Sequence, residues 1–343
     1  MPAASLVPDF SSLRVAVVGD LVADHYVFGR PTRLSREAPV MVLRHESEAL
    51  GTGGAANAAR NVRALGARTL LLGAVGADAN GRELRRILEE AGVEVEDVRP
   101  VRGWMTPTKT RILGADAGRT RHQVLRIDRE PDEPASAAVR EAVAARLAAL
   151  AGQVDAVLVS DYGYGLVGEE VARAAALVRA AGAPVVLDPR ACLAPFREAT
   201  AMTPNLGELA AATGRSPDDL ASAEAVAGAA AELRAAYRPR HLLVTLGNRG
   251  MALYSDEHPR GLAIRPAGPR DVVDVSGAGD TAAAVFTLAL AAGLKAPAAM
   301  RLANAAAGVV VMETGAAVCP PDRLRSALPL SPLPERVAAP VAG

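Results

Sequence analysis

One aspartate lies where a carboxylate is unexpected. The segment DVVDVSGAGDTAAAVFTLALAAG places Gly277, Ala278, Gly279 and Asp280 between a strand-like run and an Ala-rich helix. The glycines could simply relax a tight turn. Small residues at a helix N-terminus also leave backbone N–H groups open to an anion, and the helix dipole favours negative charge there. A carboxylate at that point is costly unless it takes a proton from an attacking hydroxyl, so the segment indicates phosphoryl transfer.

A second glycine cluster, GTGGAAN, lies early in the chain. Gly53 and Gly54 would let a polyhydroxylated ligand approach the backbone, and the amide of Asn57 could donate and accept hydrogen bonds. The alternative is a helix start that needs flexible residues. Asp20 and Asp24, in VVGDLVADH, are suited to accept hydrogen bonds from sugar hydroxyls, or they cap or solvate a turn. The combination of these residues with the late GAGD favours a sugar as the ligand.

The elements that position these residues alternate between strand and helix. This alternation predicts an α/β fold with a doubly wound, mainly parallel sheet and helices on both faces. Ligands in such sheets bind beyond the carboxyl ends of the strands, and Asp20, Asp161, Asp188 and Thr245 lie at or just after predicted strand ends. The predicted strands are 14–19, 68–73, 155–160, 184–188 and 241–245, and the predicted helices are 54–65, 81–91, 135–151, 168–181, 206–213, 222–236, 278–292 and 296–312.

Two segments, 25–46 and 98–129, break the alternation with short β-like runs, turn residues and many arginines. They are either ordinary surface hairpins or a small sheet that covers the active site and excludes water. We expect one domain over 1–330. The Pro- and Ala-rich end, 331–343, is predicted to be a poorly ordered tail.

Composition excludes several classes of protein. The 343 residues carry 38 basic and 38 acidic side chains, a formal net charge of +0, so we expect no nucleic-acid and no membrane partner. Cys192 and Cys319 cannot build a disulfide framework, which favours a reducing cytoplasm. The N-terminus lacks the pattern of a signal peptide. The five histidines show no ligand spacing, which argues against a metalloenzyme.

Further motifs carry a resemblance to a known family. GGAANAARN and DVSGAGDTAAAVF, with TPNLGE, VTLGNRG and ANAAAGVVV in order, resemble the signatures of the ribokinase-like sugar kinases, often called the PfkB family. Within it, GDLVADHYVFGRPTRLSREAPV, PTKTRIL and SDYGYG are similar to the heptose 7-phosphate kinases of lipopolysaccharide-precursor synthesis. Those kinases are often fused to a nucleotidyltransferase domain, which we do not expect within these 343 residues.

The resemblance implies a role for each motif residue. It makes Asp280 the base that accepts the proton of the sugar hydroxyl, and gives the anion hole to the N–H groups of 277–279. It also implies ATP and Mg²⁺, leaves a monovalent cation at the 271–279 loop open, and makes a homodimer plausible. The implied sugar ligands are Asp20, Asp24, Gly53, Gly54, Asn57 and Asp161; the implied nucleotide-site residues are Asn205, Thr245, Gly247, Gly250 and Asn304, with Glu208 positioning Mg²⁺ and its waters. Asn205 and Glu208 also fit a capping box, which would give them a purely structural role.

The implied reaction is phosphorylation of the anomeric hydroxyl of D-glycero-β-D-manno-heptose 7-phosphate to the 1,7-bisphosphate. A dianionic substrate needs basic residues opposite the reacting hydroxyl, and Lys109, Arg111 and Arg126 are candidates, although solvated surface charge explains any one of them equally well. Tyr164 stands where those kinases commonly have Lys, which puts the exact sugar phosphate in doubt. The alternatives are a kinase for another sugar, sugar phosphate or nucleoside, and a non-catalytic sugar-binding protein. A dinucleotide-dependent oxidoreductase fits less well, because some thirty residues separate GTGGAAN from the first strand.

Overall fold

Ten strands form one sheet in the computed structural model, which describes residues 7–115, 122–268 and 272–337. Seven neighbouring strands are parallel, and the last three at one edge are antiparallel. The sheet order is β14-β13-β12-β11-β10-β9-β8-β1-β4-β5. Its strands are β1 (Arg14–Gly19), β4 (Arg68–Gly76), β5 (Val98–Val101), β8 (Ala156–Ser160), β9 (Val185–Asp188), β10 (Ala201–Met202), β11 (His241–Thr245), β12 (Met251–Ser255), β13 (Leu262–Ile264) and β14 (Glu335–Arg336).

Helices cover both faces of this sheet, and each face has its own hydrophobic core. The helices α1 (Ala55–Ala64), α2 (Ala79–Glu90), α7 (Ala278–Ala291), α8 (Ala296–Val310) and α9 (Pro321–Ala327) pack on one face, and α3 (Ala137–Ala148), α4 (Glu169–Ala180), α5 (Leu206–Ala212) and α6 (Ala223–Tyr237) pack on the other. Central strands are buried on both faces, which is why β1 and β8 read as continuous apolar runs. The predicted α/β class is therefore confirmed.

Four more strands form a second, small sheet in the order β3-β2-β6-β7. They are β2 (Leu21–Leu34), β3 (Met41–Gly54), β6 (Thr108–Gly114) and β7 (His122–Arg129). Only Asp20 separates β1 from β2, so the chain passes directly from the large sheet into the small one. The small sheet therefore starts earlier than the predicted 25–46 segment, and 98–101 of the predicted 98–129 segment pairs with β4 in the large sheet. Residues 116–121 lie outside the described part.

The sequence did not predict the strands at the β14 edge of the large sheet. Strands β13 and β14 are three and two residues long and pair antiparallel, too short to leave a periodic pattern. Residues 331–337 of the predicted tail are described and include β14, whereas 338–343 lie outside the described residues. None of the helices in the described ranges is long and apolar enough to cross a membrane.

Candidate active site

Asp280 is buried in the first turn of α7, with 3% of its surface exposed. Its two carboxylate oxygens accept separate hydrogen bonds: Nδ2 of Asn57 donates to Oδ2 at 2.8 Å, and the hydroxyl of Tyr162 donates to Oδ1 at 2.8 Å. Burial raises the pKa of Asp280 to about 6, while these two hydrogen bonds hold it down. A carboxylate with this pKa is ionised at neutral pH and can accept a proton.

The turn before Asp280 exposes backbone donors. Gly277 caps α7 with φ 77°, a left-handed conformation that favours glycine. Among the described residues, the N–H groups of Gly277 and Gly279 have no acceptor, and that of Ala278 makes one long bond of 3.3 Å to the carbonyl oxygen of Val275. Free N–H groups at a helix N-terminus can bind an anion, and the anion hole itself stays a prediction. Residue 271 of the predicted cation-binding loop lies outside the described residues.

Glycine at position 277 is also required by its neighbour. A Cβ atom there would lie 2.5 Å from Nδ2 of Asn57, the atom that holds Asp280. Gly54, which begins α1 with φ 58°, is similarly confined, because its Cβ would lie 2.5 Å from the carbonyl oxygen of Asp20. The two glycine clusters therefore bring α1 and α7 together around one carboxylate.

Asp20 and Asp161 hold loops at the strand ends. The carboxylate of Asp20 accepts hydrogen bonds from the N–H groups of Tyr162, Tyr164 and Leu166 at 2.9 to 3.2 Å. The carboxylate of Asp161 accepts from the N–H group of Gly163 and from three successive N–H groups at 190–192. Both carboxylates thus fix backbone beside the site, and the sugar contacts predicted for them stay predictions.

Asp24 lies on β2, on the face of the small sheet that is turned toward Asp280. Its Oδ1 accepts a hydrogen bond from Arg111 at 2.5 Å, both side chains are nearly buried, and the guanidinium of Arg111 lies over the ring of Tyr26. Gly53 lies directly against Oδ2 of Asp24, since a Cβ there would lie 2.9 Å from it. Gly53 and Arg111 therefore both contact Asp24, and Arg111 supplies its counter-charge; sugar binding by Asp24 and Gly53 stays a prediction.

The other two basic residues predicted to bind the phosphate of the substrate, Arg126 and Lys109, differ in their ion pairing. Arg126 on β7 forms a bidentate ion pair with Asp128 and is largely exposed. Lys109 on β6 makes no ion pair in the described part of the chain. Its Nζ lies 5.5 Å from the ring centre of Tyr162, and burial followed by the charge of Arg190 lowers its pKa. Lys109 is thus the candidate whose charge is available to a ligand.

Tyr164, the departure from the heptose-kinase pattern, makes its side-chain hydrogen bond to Glu130. Its side chain is buried, and its hydroxyl donates to Oε1 of Glu130 at 3.0 Å. Glu130 directly follows β7, so this hydrogen bond ties the small sheet to the loop after β8.

An inner cavity of about 200 Å³ lies in front of Asp280. Three further carboxylates line it: Asp161, Asp188, which accepts a 2.7 Å hydrogen bond from the hydroxyl of Thr203, and Glu208. Burial raises the pKa of Asp188 well above its ordinary value and that of Glu208 to about 7. Asn205 and Glu208 do form the capping box of α5, through reciprocal bonds of 2.8 and 2.9 Å. This box engages Oε2 of Glu208, and Oε1 has no hydrogen-bond partner among the described residues.

The donor set at this point is suited to Mg²⁺. Asp188 and Glu208 are hard oxygen ligands on one cavity wall, and each keeps one carboxylate oxygen free of hydrogen bonds among the described residues. Magnesium is typically held by one or two carboxylates, water and substrate phosphates. Within those same residues no cluster of three or more His, Cys, Asp or Glu could hold a metal by itself, so phosphates would have to complete the coordination.

A second, outer cleft of about 520 Å³ adjoins the inner cavity. The two share Asn205, Thr245 and Gly279 in their walls. The cleft is largely apolar and is lined by all five predicted nucleotide-site residues, together with Leu246, Met251, Ala267, Val275 and Val311. The amide nitrogen of Asn304 donates to the carbonyl oxygen of Arg265 and to the hydroxyl of Ser331. A flat apolar group with a charged tail directed at Gly279 would fit this arrangement.

Two residues of the site were missed by the sequence reasoning. Tyr162 follows a predicted strand end, but its contact with Asp280 spans 118 positions. Arg190 lies two residues after Asp188 and lines the inner cavity. Position after a strand end was the available signal for both.

Comparison with known proteins identifies similar chains. The family described as "pfkB family carbohydrate kinase" matches residues 12–323. The "Bifunctional protein HldE" of Magnetococcus marinus is 40% identical over 326 residues, which cover 93% of this chain and 64% of that protein. The chain therefore spans less than two thirds of that relative.

Solved structures share the fold. Arabidopsis thaliana ribokinase complexed with ribose and ATP has a TM-score of 0.65 at 23% identity, covering 94% of this chain and 96% of that one. The tetrameric inhibited form of phosphofructokinase-2 from Escherichia coli has a TM-score of 0.72 at 18% identity, covering 92% and 98%.

Proposed function

The chain belongs to the pfkB family of carbohydrate kinases, and we propose that it uses Mg-ATP to phosphorylate the anomeric hydroxyl of D-glycero-β-D-manno-heptose 7-phosphate. One observation carries the proposal: Asp280 is held by two hydrogen bonds at the mouth of an anion-binding helix N-terminus. A carboxylate held there is in place to accept a proton from a hydroxyl that attacks a phosphoryl group.

Each part of the proposed phosphoryl transfer has a residue that can carry it out. The sugar hydroxyl oxygen forms a bond to the γ-phosphorus, the bond from that phosphorus to the β,γ-bridging oxygen breaks, and ADP leaves with its electron pair. Asp280 takes the hydroxyl proton. The N–H groups of Gly277 and Gly279 face the charge that develops on the phosphoryl oxygens. Asp188 and Glu208 would hold Mg²⁺, which when bound neutralises charge on the phosphates.

The outer cleft supports ATP as the donor. Its apolar walls suit an adenine ring, and the three residues it shares with the inner cavity lie where a triphosphate would pass toward Asp280. The small sheet contributes Asp24 and Lys109 on the opposite side of the site. We propose that it acts as a lid that keeps water from the transferable phosphoryl group.

Support for a phosphorylated heptose comes from Lys109 and from the relatives named HldE. A cation that lacks an ion pair among the described residues suits a dianionic substrate. Tyr164 does not disturb this, because its hydroxyl is engaged with Glu130.

The experiment is ADP release from Mg-ATP with a panel of acceptors: the heptose 7-phosphate, fructose 6-phosphate, fructose 1-phosphate, ribose, fructose and adenosine. The proposal predicts that kcat/KM is highest for the heptose phosphate. A preference for an unphosphorylated sugar or a nucleoside would retain the kinase and contradict the substrate.

We also propose a homodimer formed through the small sheet. The register places Asp24, Lys109 and Arg126 on the face toward the site, so the opposite face carries Leu125 and Ile127, which are 52% and 44% exposed. Paired sheets would cover this apolar face about a two-fold axis. Light scattering should give a dimer mass for the wild type and a monomer mass for the double variant Leu125→Glu, Ile127→Glu. A control at the distant, exposed Leu330, Leu330→Glu, should stay dimeric; a monomeric wild type would contradict the proposal.

A further inference from the structure

Arg190 projects into the inner cavity from the turn that follows β9. The described residues that line this cavity include four carboxylates, at Asp161, Asp188, Glu208 and Asp280, and Arg190 is the one Lys or Arg among them. Asp161 is engaged by backbone N–H groups. The other three carboxylates face the space in which a triphosphate would lie. A phosphate in that space needs a cation close to it.

Hydrogen bonds to Asp161 fix the backbone at Arg190. Oδ2 of Asp161 accepts hydrogen bonds from the N–H groups of Arg190, Ala191 and Cys192 at 3.1, 2.6 and 2.6 Å. Three donors on one oxygen of a nearly buried carboxylate hold the turn in a single geometry. Asp161 therefore acts as a positioning residue for the arginine, which explains a carboxylate at this strand end without a contact to the sugar.

The guanidinium of Arg190 lies over an aromatic ring. Within the described part of the chain, its side chain makes no hydrogen bond and no ion pair, although Glu208 lies on the same cavity wall. Its Cζ lies 5.8 Å from the ring centre of Tyr162, and Nζ of Lys109 lies 5.5 Å from the same centre. Two cations from different elements thus converge on the tyrosine whose hydroxyl binds Asp280. Both side chains are cations, so an anion close to them would be bound favourably.

We propose that Arg190 is a further catalytic residue that contacts the phosphoryl group as it is transferred, on the side opposite the N–H groups of 277–279. The inference rests on the proposed use of ATP. The guanidinium and the helix N-terminus would bind different oxygens of the same group. Planar guanidinium donors match a phosphoryl group, and an arginine in this role contributes roughly 10³–10⁵ to kcat in other phosphoryl-transfer enzymes.

The test compares Arg190→Gln with Arg173→Gln. Arg173 is an exposed arginine of α4 whose one ion pair within the described ranges, to Glu169, is 3.6 Å long. We expect Arg190→Gln to lower kcat at least about a hundredfold, by the same factor for a phosphorylated and an unphosphorylated acceptor. Arg173→Gln should leave kcat unchanged. If the variant only raised KM, and did so only for phosphorylated acceptors, Arg190 would bind the sugar's own phosphate. That result would overturn the proposal. Unchanged kcat would also overturn it.

A binding measurement separates this inference from the choice of sugar. Calorimetry with the magnesium complexes of ADP and of a non-hydrolysable ATP analogue needs no acceptor. Arg190→Gln should weaken the analogue roughly tenfold and leave ADP unchanged, because the lost contact is to the terminal phosphoryl group. Equal weakening of both nucleotides would show a structural role and contradict the proposal. This binding result can be interpreted even if the heptose phosphate is not a substrate, because the measurement contains no acceptor.

Discussion

The hydroxyl of Tyr162 should set the pH at which the kinase becomes active. It donates a 2.8 Å hydrogen bond to Oδ1 of Asp280, in a buried site where desolvation already raises the pKa of that carboxyl to about 6. The variant Tyr162→Phe keeps the ring and removes the donor. Because the hydrogen bond stabilises the ionised carboxylate, its loss raises the pKa of Asp280 further.

The magnitude follows from the strength of the bond. A hydrogen bond to a charged group contributes about 1.5–3 kcal/mol, and one pKa unit corresponds to about 1.4 kcal/mol, so the shift is about 1–2 units. The base must be ionised to work. The acid limb of kcat/KM should therefore move from near pH 6 to about pH 7–8, with a loss of about two- to tenfold at pH 7. Activity should recover at higher pH.

The assay is the pH dependence of kcat/KM for ADP release, with Tyr164→Phe as the matched control. Tyr164 lies two residues away and loses a comparable hydrogen bond, but to Glu130 and not to Asp280. Its acid limb should stay near that of the wild type. The reasoning is refuted if Tyr162→Phe leaves the limb in place, or if both variants move it equally.

Two further predictions concern stability. Gly277→Ala should lower the free energy of unfolding by about 1–3 kcal/mol, because the residue has φ 77° and its Cβ would press on an amide nitrogen. Gly279→Ala should melt like the wild type, because outside its own helix backbone and chain neighbours no described atom lies within 4 Å of its Cβ. Equal melting temperatures for the two variants would contradict this. Arg111→Met leaves the nearly buried Asp24 without its counter-charge and should cost about 3–5 kcal/mol in urea unfolding. Arg126→Met breaks an exposed pair and should cost less than about 1 kcal/mol; similar costs for the two arginines would refute the distinction.

Local patterns were sufficient to predict most elements of the fold. The predicted strand 241–245 and helix 278–292 differ from β11 and α7 by at most one residue. Apolar runs and helix-capping residues are local signals that can be recognised in consecutive positions of the sequence. Strand β14 was missed, since two residues carry no period and their partner β13 lies some seventy positions away.

Contacts between distant residues explain what the sequence could not supply at the site. The family resemblance implies Asp161 as a sugar ligand, and that role stays a prediction. The sequence could not show that four backbone N–H groups donate to its carboxylate in the folded chain. The hydrogen bond between Tyr162 and Asp280 depends on how the loop after β8 meets α7. Such pairings arise from packing and leave no spacing to recognise.

The most direct measurement of the central claim is phosphorus NMR of the product formed from Mg-ATP and the heptose 7-phosphate, with wild type and with Asp280→Asn. The wild type should consume ATP and give a second phosphate signal coupled to the anomeric proton. Asp280→Asn should bind ATP with little change and form product slower by orders of magnitude. Near-normal turnover by Asp280→Asn, or a phosphate at a different carbon, would contradict the account.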